Sequence, residues 1–341
     1  MLDKKVENRL KEVARMIGNT PMIGINYRYK GKEGIIYVKC EYYNFSGSIK
    51  DRMALYILKE AYKNGDIRQD SIIVEATSGN TGISFSALGS LLGHKVCIIM
   101  PDWMSRERKM LIQSYGAEII SVSSEEGGFL RSIQLSEELS AQNTNVFLPC
   151  QFSNHNNIKA HEETTGPEII IQLKKHNLTP DAFVAGVGTG GTVVGVGKAM
   201  HSVYNHIRIH PVEPEESPTL SKGYKTGFHR IQGISDEFVP EIMKAGQLNE
   251  IIQVSDGDSI IMAQKLAMSL GLAVGISSGA NLIAAIKLQE KYGYKAVIAT
   301  TFADCNKKYL STDLIKEEPV KAHYLSPETE LIDFFTLKKS F

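Results

Sequence analysis

The sequence predicts an α/β protein made of two open, twisted, mostly parallel sheets covered by helices. Three observations predict it. Short apolar runs bounded by polar turns alternate with segments of helical periodicity, and strands buried on both faces read this way. The alternation pauses near Gln151 and then resumes, which divides it into two units. The length, 341 residues, suits about two domains.

Leu2, Val6, Leu10, Val13 and Ile17 recur at helical spacing, so residues 1–16 form an amphipathic helix whose apolar face needs a partner surface, for which another subunit is a candidate. Ile35 to Cys40 is a strand, and Ser48 to Asn64 a helix stopped by Gly65. Strands follow at 72–76, 96–100 and 119–122, with helices running to Leu92, over 105–115 and over 130–141. Beyond Gln151 the strands are expected at 183–187, 207–211, 251–254 and 297–300, and the helices at 192–204, 256–270 and 279–291. The tail from Lys316 to Phe341 is charged and reads as a loop.

Lys+Arg and Asp+Glu both total 38, so no global field draws nucleic acid or an anionic membrane, and a small-molecule enzyme fits better. No apolar stretch approaches the roughly 18 residues that span a bilayer, and no signal-peptide pattern opens the chain, so a cytoplasmic location is expected. Cys40, Cys97, Cys150 and Cys305 are widely spaced, which suggests neither a disulfide framework nor a metal site, and Cys97 reads as a buried strand residue.

Four stretches carry chemistry. Lys50 lies in the first turn of its helix, where the partial positive charge disfavours it. It is either a solvated helix lysine or an amine with a use beyond the helix. Gly186-Val187-Gly188-Thr189-Gly190-Gly191-Thr192 joins a strand to a helix, where curled backbone N–H groups and the helix N-terminus cradle a phosphate. A dinucleotide turn competes with that reading, because Glu213 follows at about the required distance. Thr77-Ser78-Gly79-Asn80-Thr81-Gly82 suits a carboxylate, with capping as the plainer alternative, and Gly275 to Ala280 is a third turn of this kind.

Together with Ile17 to Pro21 and Lys159 to Glu168, the stretches 44–52, 77–82, 188–192 and 276–280 resemble the cysteine synthase and cystathionine β-synthase family, in the family's own order. The phrase Glu41-Tyr42-Tyr43-Asn44 is more similar to the second branch. The resemblance implies a fold type II enzyme that uses pyridoxal 5′-phosphate, with a smaller mobile domain over 46–150, a larger domain from 1–45 and 151–341, and a homodimer. It further implies that Lys50 joins the cofactor and moves the α-proton. Asn80 would bind the ring 3′-oxygen, Gly188, Thr189, Gly190, Gly191 and Thr192 the phosphate, and Ser277 the pyridine nitrogen. Thr77, Ser78, Thr81 and Gln151 would bind the substrate α-carboxylate, with Ser78 near the β-substituent.

Two segments depart from the family pattern. Gln232-Gly233-Ile234-Ser235-Asp236-Glu237 places acidic residues where small uncharged ones are usual, in the loop that the resemblance implies borders the β-carbon. Phe302-Ala303-Asp304-Cys305-Asn306-Lys307-Lys308 replaces a Ser/Gly-rich stretch. A carboxylate beside the β-carbon repels hydrosulfide yet accepts a proton from water. The expected reaction is therefore β-replacement on L-cysteine through an aminoacrylate, releasing sulfide and forming L-serine, with Asp236 as the base. O-acetylserine sulfhydrylase and cystathionine β-synthase activities are the alternatives, and a metabolite-binding protein without turnover is a further class.

Overall fold

The computed structural model describes residues 4–339. Eleven strands run in chain order: β1 (Met22–Tyr29), β2 (Lys32–Cys40), β3 (Ile72–Ala76), β4 (Val96–Pro101), β5 (Glu118–Val122), β6 (Val146–Phe147), β7 (Ala182–Gly186), β8 (Arg208–Pro214), β9 (Ile252–Val254), β10 (Ile298–Phe302) and β11 (Thr329–Leu337). The helices are α1 (Lys4–Ala14), α2 (Lys50–Asn64), α3 (Asn80–Leu92), α4 (Arg106–Ser114), α5 (Gly128–Gln142), α6 (His155–Ala160), α7 (Gly166–Lys174), α8 (Gly191–His201), α9 (Thr219–Lys222), α10 (Asp256–Leu270) and α11 (Ile276–Tyr292).

The strands form two sheets, as the alternation predicts. One is four-stranded in the order β5-β4-β3-β6 and entirely parallel. The other is seven-stranded in the order β11-β1-β2-β10-β7-β8-β9, parallel from β2 to β9. β1 is antiparallel to both β2 and β11, so the larger sheet gains an antiparallel margin. Lys30 and Gly31 close the β1–β2 hairpin with φ of 49° and 75°, the doubly left-handed turn whose twist matches that of the strands.

Three expectations are corrected. The tail is not a loop throughout: Thr329–Leu337 pairs with β1, burying Leu331 and Leu337 while Phe334 and Phe335 stay partly exposed. The apolar face of α1 is covered within the same chain, where Val6, Leu10 and Val13 join Met53, Ile57, Phe85 and Leu88 in one core. Residues 1–3 of that expected helix lie outside the described residues. Cys97 is half-buried on β4.

The fold positions the site by a simple rule: parallel strands present their C-terminal ends on one side, and the turns leaving those ends meet there. β3 delivers Thr77 to Asn80, β7 delivers Val187 to Gly191, and β10 delivers Ala303 to Lys308. Among the described residues no helix is long and apolar enough to cross a membrane.

Candidate active site

Lys50 is the first residue of α2, and that helix start is pinned from outside. Ile49 N–H donates to Ala303 O at 2.9 Å, and Ser48 forms an antiparallel bridge with Asp304. Burial pulls the Lys50 ammonium below its ordinary pKa, against the opposing pull of Asp236 and Asp304. Two positions further along, Arg52 enters a different environment. Its guanidinium bonds Glu41 at 2.6 and 2.8 Å and Glu168 at 2.7 and 2.8 Å, while Lys39 Nζ lies 2.7 Å from Glu168. Burial pushes the Glu41 carboxyl up, but Arg52 and Lys39 outweigh it and hold it at about 2. Asn44 and Glu168 accept the backbone N–H groups of Gly18 and Asn19, so the two N-terminal motif stretches are tied together around this cluster.

Around Lys50 the cleft is lined by Thr77, Ser78, Asn80, Thr81, Gln151, Gly188, Thr189, Thr192, Asp236 and Ser277, so the structure brings together almost every residue that the sequence points to. Gly190 and Gly191 of the cradle lie at the N-terminus of α8, just outside that lining. The glycine turn is built for close approach. A Cβ on Gly188 would sit 2.5 Å from Gly233 O, and Gly190 has φ of 89°. Its hydroxyls are held from below: Asn157 Nδ2 donates to Thr189 Oγ1 and to Gln151 O, both at 2.8 Å, and Thr192 Oγ1 lies 3.3 Å from His161 Nε2. His161 is fully buried, which drives its pKa to about 3 and keeps the imidazole neutral. It opens a single π turn, His161–Thr165. Asn157 escapes sequence reasoning and His161 enters it only as part of the Lys159 to Glu168 stretch, without a role, because a polar residue looks like any solvated one until its buried neighbour is known.

At the first polar turn, Thr77 Oγ1 accepts from Gly79 N–H at 3.0 Å, and Thr81 Oγ1 donates to Gln151 Oε1 at 2.6 Å. Gln151 Nε2 donates to Ala76 O at 2.8 Å, which locks the amide across the mouth of β3. Ser277 lies in the first turn of α11, whose preceding Gly275 N–H bonds Asp304 O at 3.1 Å.

The acidic loop comes down on the opposite wall. Ser235 adopts φ of 53°, a strained value for a residue with a side chain. It is fixed by N–H donation to Val187 O at 2.7 Å, Oγ donation to Ser217 O at 3.1 Å, and His229 Nε2 at 2.9 Å from Ser235 O. Three consecutive side chains of this loop meet different surroundings. Ser235 is turned into the protein, and Glu237 pairs with Lys225 at 2.7 Å near the surface. Asp236 lines both the cleft and the outer vestibule, a cavity of about 780 Å³ that also touches Ser78, Trp103, Phe129 and Gln232. Burial raises its carboxyl to about 6, with Lys50 opposing. The arrangement can hold a phosphate at the glycine turn, place an amine nearby, and set a base across from it. A phosphorylated pyridine aldehyde fits this donor set, since the glycine turn and the N-terminus of α8 suit a phosphate and Lys50 is amine-bearing and desolvated.

The model of the family described as "Pyridoxal-phosphate dependent enzyme" matches residues 13–304. A probable cysteine synthase from Bacillus subtilis is 40% identical over 301 residues, covering 88% of this chain and 96% of the relative. The crystal structure of a hydrogen sulfide-producing enzyme from Fusobacterium nucleatum superposes with a TM-score of 0.95 at 53% identity, over 98% of this chain and 99% of that one. An aspartate-to-asparagine mutant of the same enzyme, complexed with an α-aminoacrylate intermediate, superposes with a TM-score of 0.93 at 54% identity, over 95% of this chain and 97% of that one.

Proposed function

The chain belongs to the pyridoxal-phosphate dependent enzymes, and from that premise we propose that it converts L-cysteine and water into L-serine and hydrogen sulfide. That it is a β-replacement enzyme of the cysteine synthase type, with pyridoxal phosphate as cofactor, follows from its relatives. The choice of substrate and acceptor is the proposal. The observation that carries it is Asp236, a carboxylate held in the cleft facing Lys50, with its pKa raised to about 6.

When bound, the cofactor supplies an electron sink for the bonds at the substrate α-carbon. The chain supplies the rest. Lys50 would hold the cofactor and move the α-proton. Gly188 to Thr192 would bind the phosphate, Asn80 the ring 3′-oxygen and Ser277 the pyridine nitrogen. Thr77, Ser78, Thr81 and Gln151 orient the α-carboxylate. Sulfide leaves from the β-carbon, and Asp236 takes a proton from the water that adds there. Its negative charge discourages return of hydrosulfide. The aspartate-to-asparagine variant of the Fusobacterium enzyme, complexed with an α-aminoacrylate, supports an acidic residue acting in the second half of such a reaction. The B. subtilis relative's name supports a second reading, cysteine synthesis from O-acetylserine and sulfide. We further propose that the protein works as a homodimer and that the 46–150 unit closes on the substrate through the Thr77–Thr81 turn.

Asp236→Asn tests the central claim. With L-cysteine it should release about one equivalent of sulfide per site and then stall, slowing serine formation by on the order of 10²–10⁴-fold. A base must be deprotonated, so the parent's serine formation should fall as pH drops through about 6. If the variant makes serine at the parent rate, Asp236 is not the base and the cysteine synthase reading takes first place.

A further inference from the structure

Asn80 is gripped on both sides of its amide. Its Nδ2 donates to Asp304 Oδ2 at 2.7 Å, and its Oδ1 accepts from Lys308 Nζ at 2.8 Å. An amide has one acceptor atom and one two-proton donor. The flipped orientation would set NH₂ against an ammonium and the carbonyl against a carboxylate, so these neighbours permit only one. A single Nδ2 proton is left for the cleft that Asn80 lines.

Both grips are buried, Asp304 at 0% and Lys308 at 2% exposure. Lys308 Nζ also donates to another neutral oxygen, Gly47 O at 3.1 Å, in the segment that leads to Lys50. Asp304 and Asp51 are the anions that face it, and Arg108 is the opposing cation. Asp304 also accepts the Tyr309 hydroxyl at 2.7 Å, while its Oδ1 points at Gly275 and has no hydrogen-bond partner among the described residues. Through its backbone Asp304 touches Ser48 and Gly275, so one residue joins the turns that carry Lys50, Asn80 and Ser277. Burying a lysine against a neutral amide is unfavourable by itself. A cation on the carbonyl oxygen nevertheless polarises the amide and makes its free N–H a stronger donor.

We propose that Lys308 is a positioning residue for the cofactor: with Asp304 it fixes the Asn80 amide with its free N–H toward the cleft and strengthens that donor toward the cofactor's ring oxygen. The proposal rests on the assignment of Asn80 to that oxygen. It makes Lys308 a contributor to cofactor affinity and to the colour of the holoenzyme, although the lysine stands behind the wall of the site.

The test compares the holoenzymes of the parent, Asn80→Ala, Lys308→Gln, Lys308→Arg and the Asn80→Ala/Lys308→Gln double variant. The readouts are the visible absorption maximum of bound pyridoxal phosphate and its dissociation constant by fluorescence titration. Asn80→Ala and Lys308→Gln should displace the band in the same direction and each weaken cofactor binding by on the order of tenfold. The double variant should be no weaker than Asn80→Ala, because the lysine acts through the amide. Lys308→Arg should keep the parent band. A displaced band in Asn80→Ala with a parent band in Lys308→Gln, or additive weakening in the double variant, overturns the clamp while leaving the Asn80 assignment standing. A parent band in Asn80→Ala overturns both. Should Lys308→Gln fail to fold, Lys308→Met, which keeps the length of the side chain, carries the test: it should displace the band in the parent background and change nothing in the Asn80→Ala background.

Discussion

Arg52 and Lys50 stand two residues apart on the same helix, and their surroundings are opposite. Arg52 is enclosed by Glu41 and Glu168 in four short hydrogen bonds, with Lys39 completing the cluster. Lys50 faces Asp236 across a cleft and feels Asp304 behind its wall, with neither carboxylate at ion-pair distance among the described residues. Desolvation is the largest influence on the charged groups of both regions, and only the first region compensates for it with contact pairs. The paired cluster is scaffold. Lys50 and Asp236 keep their proton affinities displaced and available, which is what acid–base chemistry requires.

Variants can break or sharpen this contrast. The largest expected effect is at Lys50: Lys50→Ala should lose catalysis by on the order of 10³-fold or more, and borohydride reduction of the parent should leave a pyridoxyl adduct on Lys50 in peptide maps. An adduct on another lysine would remove Lys50 from its role. Arg52→Met should act on stability instead, since it leaves Glu41 and Glu168 buried with Lys39 as their remaining cation. Loss of one partner from such a cluster costs about 3–5 kcal/mol, measurable by denaturant unfolding. An Arg52→Met protein as stable as the parent would erase the distinction between the two regions.

Smaller effects belong to the recognition turn. Thr77→Ala and Gln151→Ala should each weaken substrate use by about 1.5–3 kcal/mol while retaining cofactor, and loss of cofactor from both would reassign them to its phosphate. A pH-dependent effect, spread thinly over several pH units, concerns Glu75 on β3, whose carboxyl burial raises from 4.5 to about 8. Because the folded pKa is the higher one, its stabilising contribution is full below pH 4.5 and is lost as pH rises through 8. Glu75→Gln should flatten that decline, roughly 1 kcal/mol per pH unit. An unchanged pH slope would show that Glu75 titrates normally.

Much of the site was legible because strand-to-helix turns have local signatures. Thr77 to Gly82, Gly188 to Thr192 and Ile276 to Ala280 each combine glycine or hydroxyl residues with an abrupt change of hydrophobic period, and all three reach the cleft. The supports were not legible, because their partners are remote. Lys308 meets Asn80 across 228 positions, and Arg52 meets Glu168 across 116. The antiparallel margin was hidden for a different reason. Lys30-Gly31 lacks the usual Asn-Gly hairpin signature, and β11 mixes Glu330 and Asp333 with half-exposed phenylalanines, so neither strand shows a clean alternation.

The close approach of the acidic loop to Gly188, which leaves no space for a Cβ there, carries a consequence for redesign. Ser235 N–H bonds Val187 O at 2.7 Å beside it, so the phosphate turn and the acidic loop are stitched backbone to backbone. Lengthening the acidic loop or grafting a foreign one would drag the cradle with it. Under the proposed function, retargeting the acceptor is therefore a matter of exchanging the side chain at position 236 on a backbone left untouched.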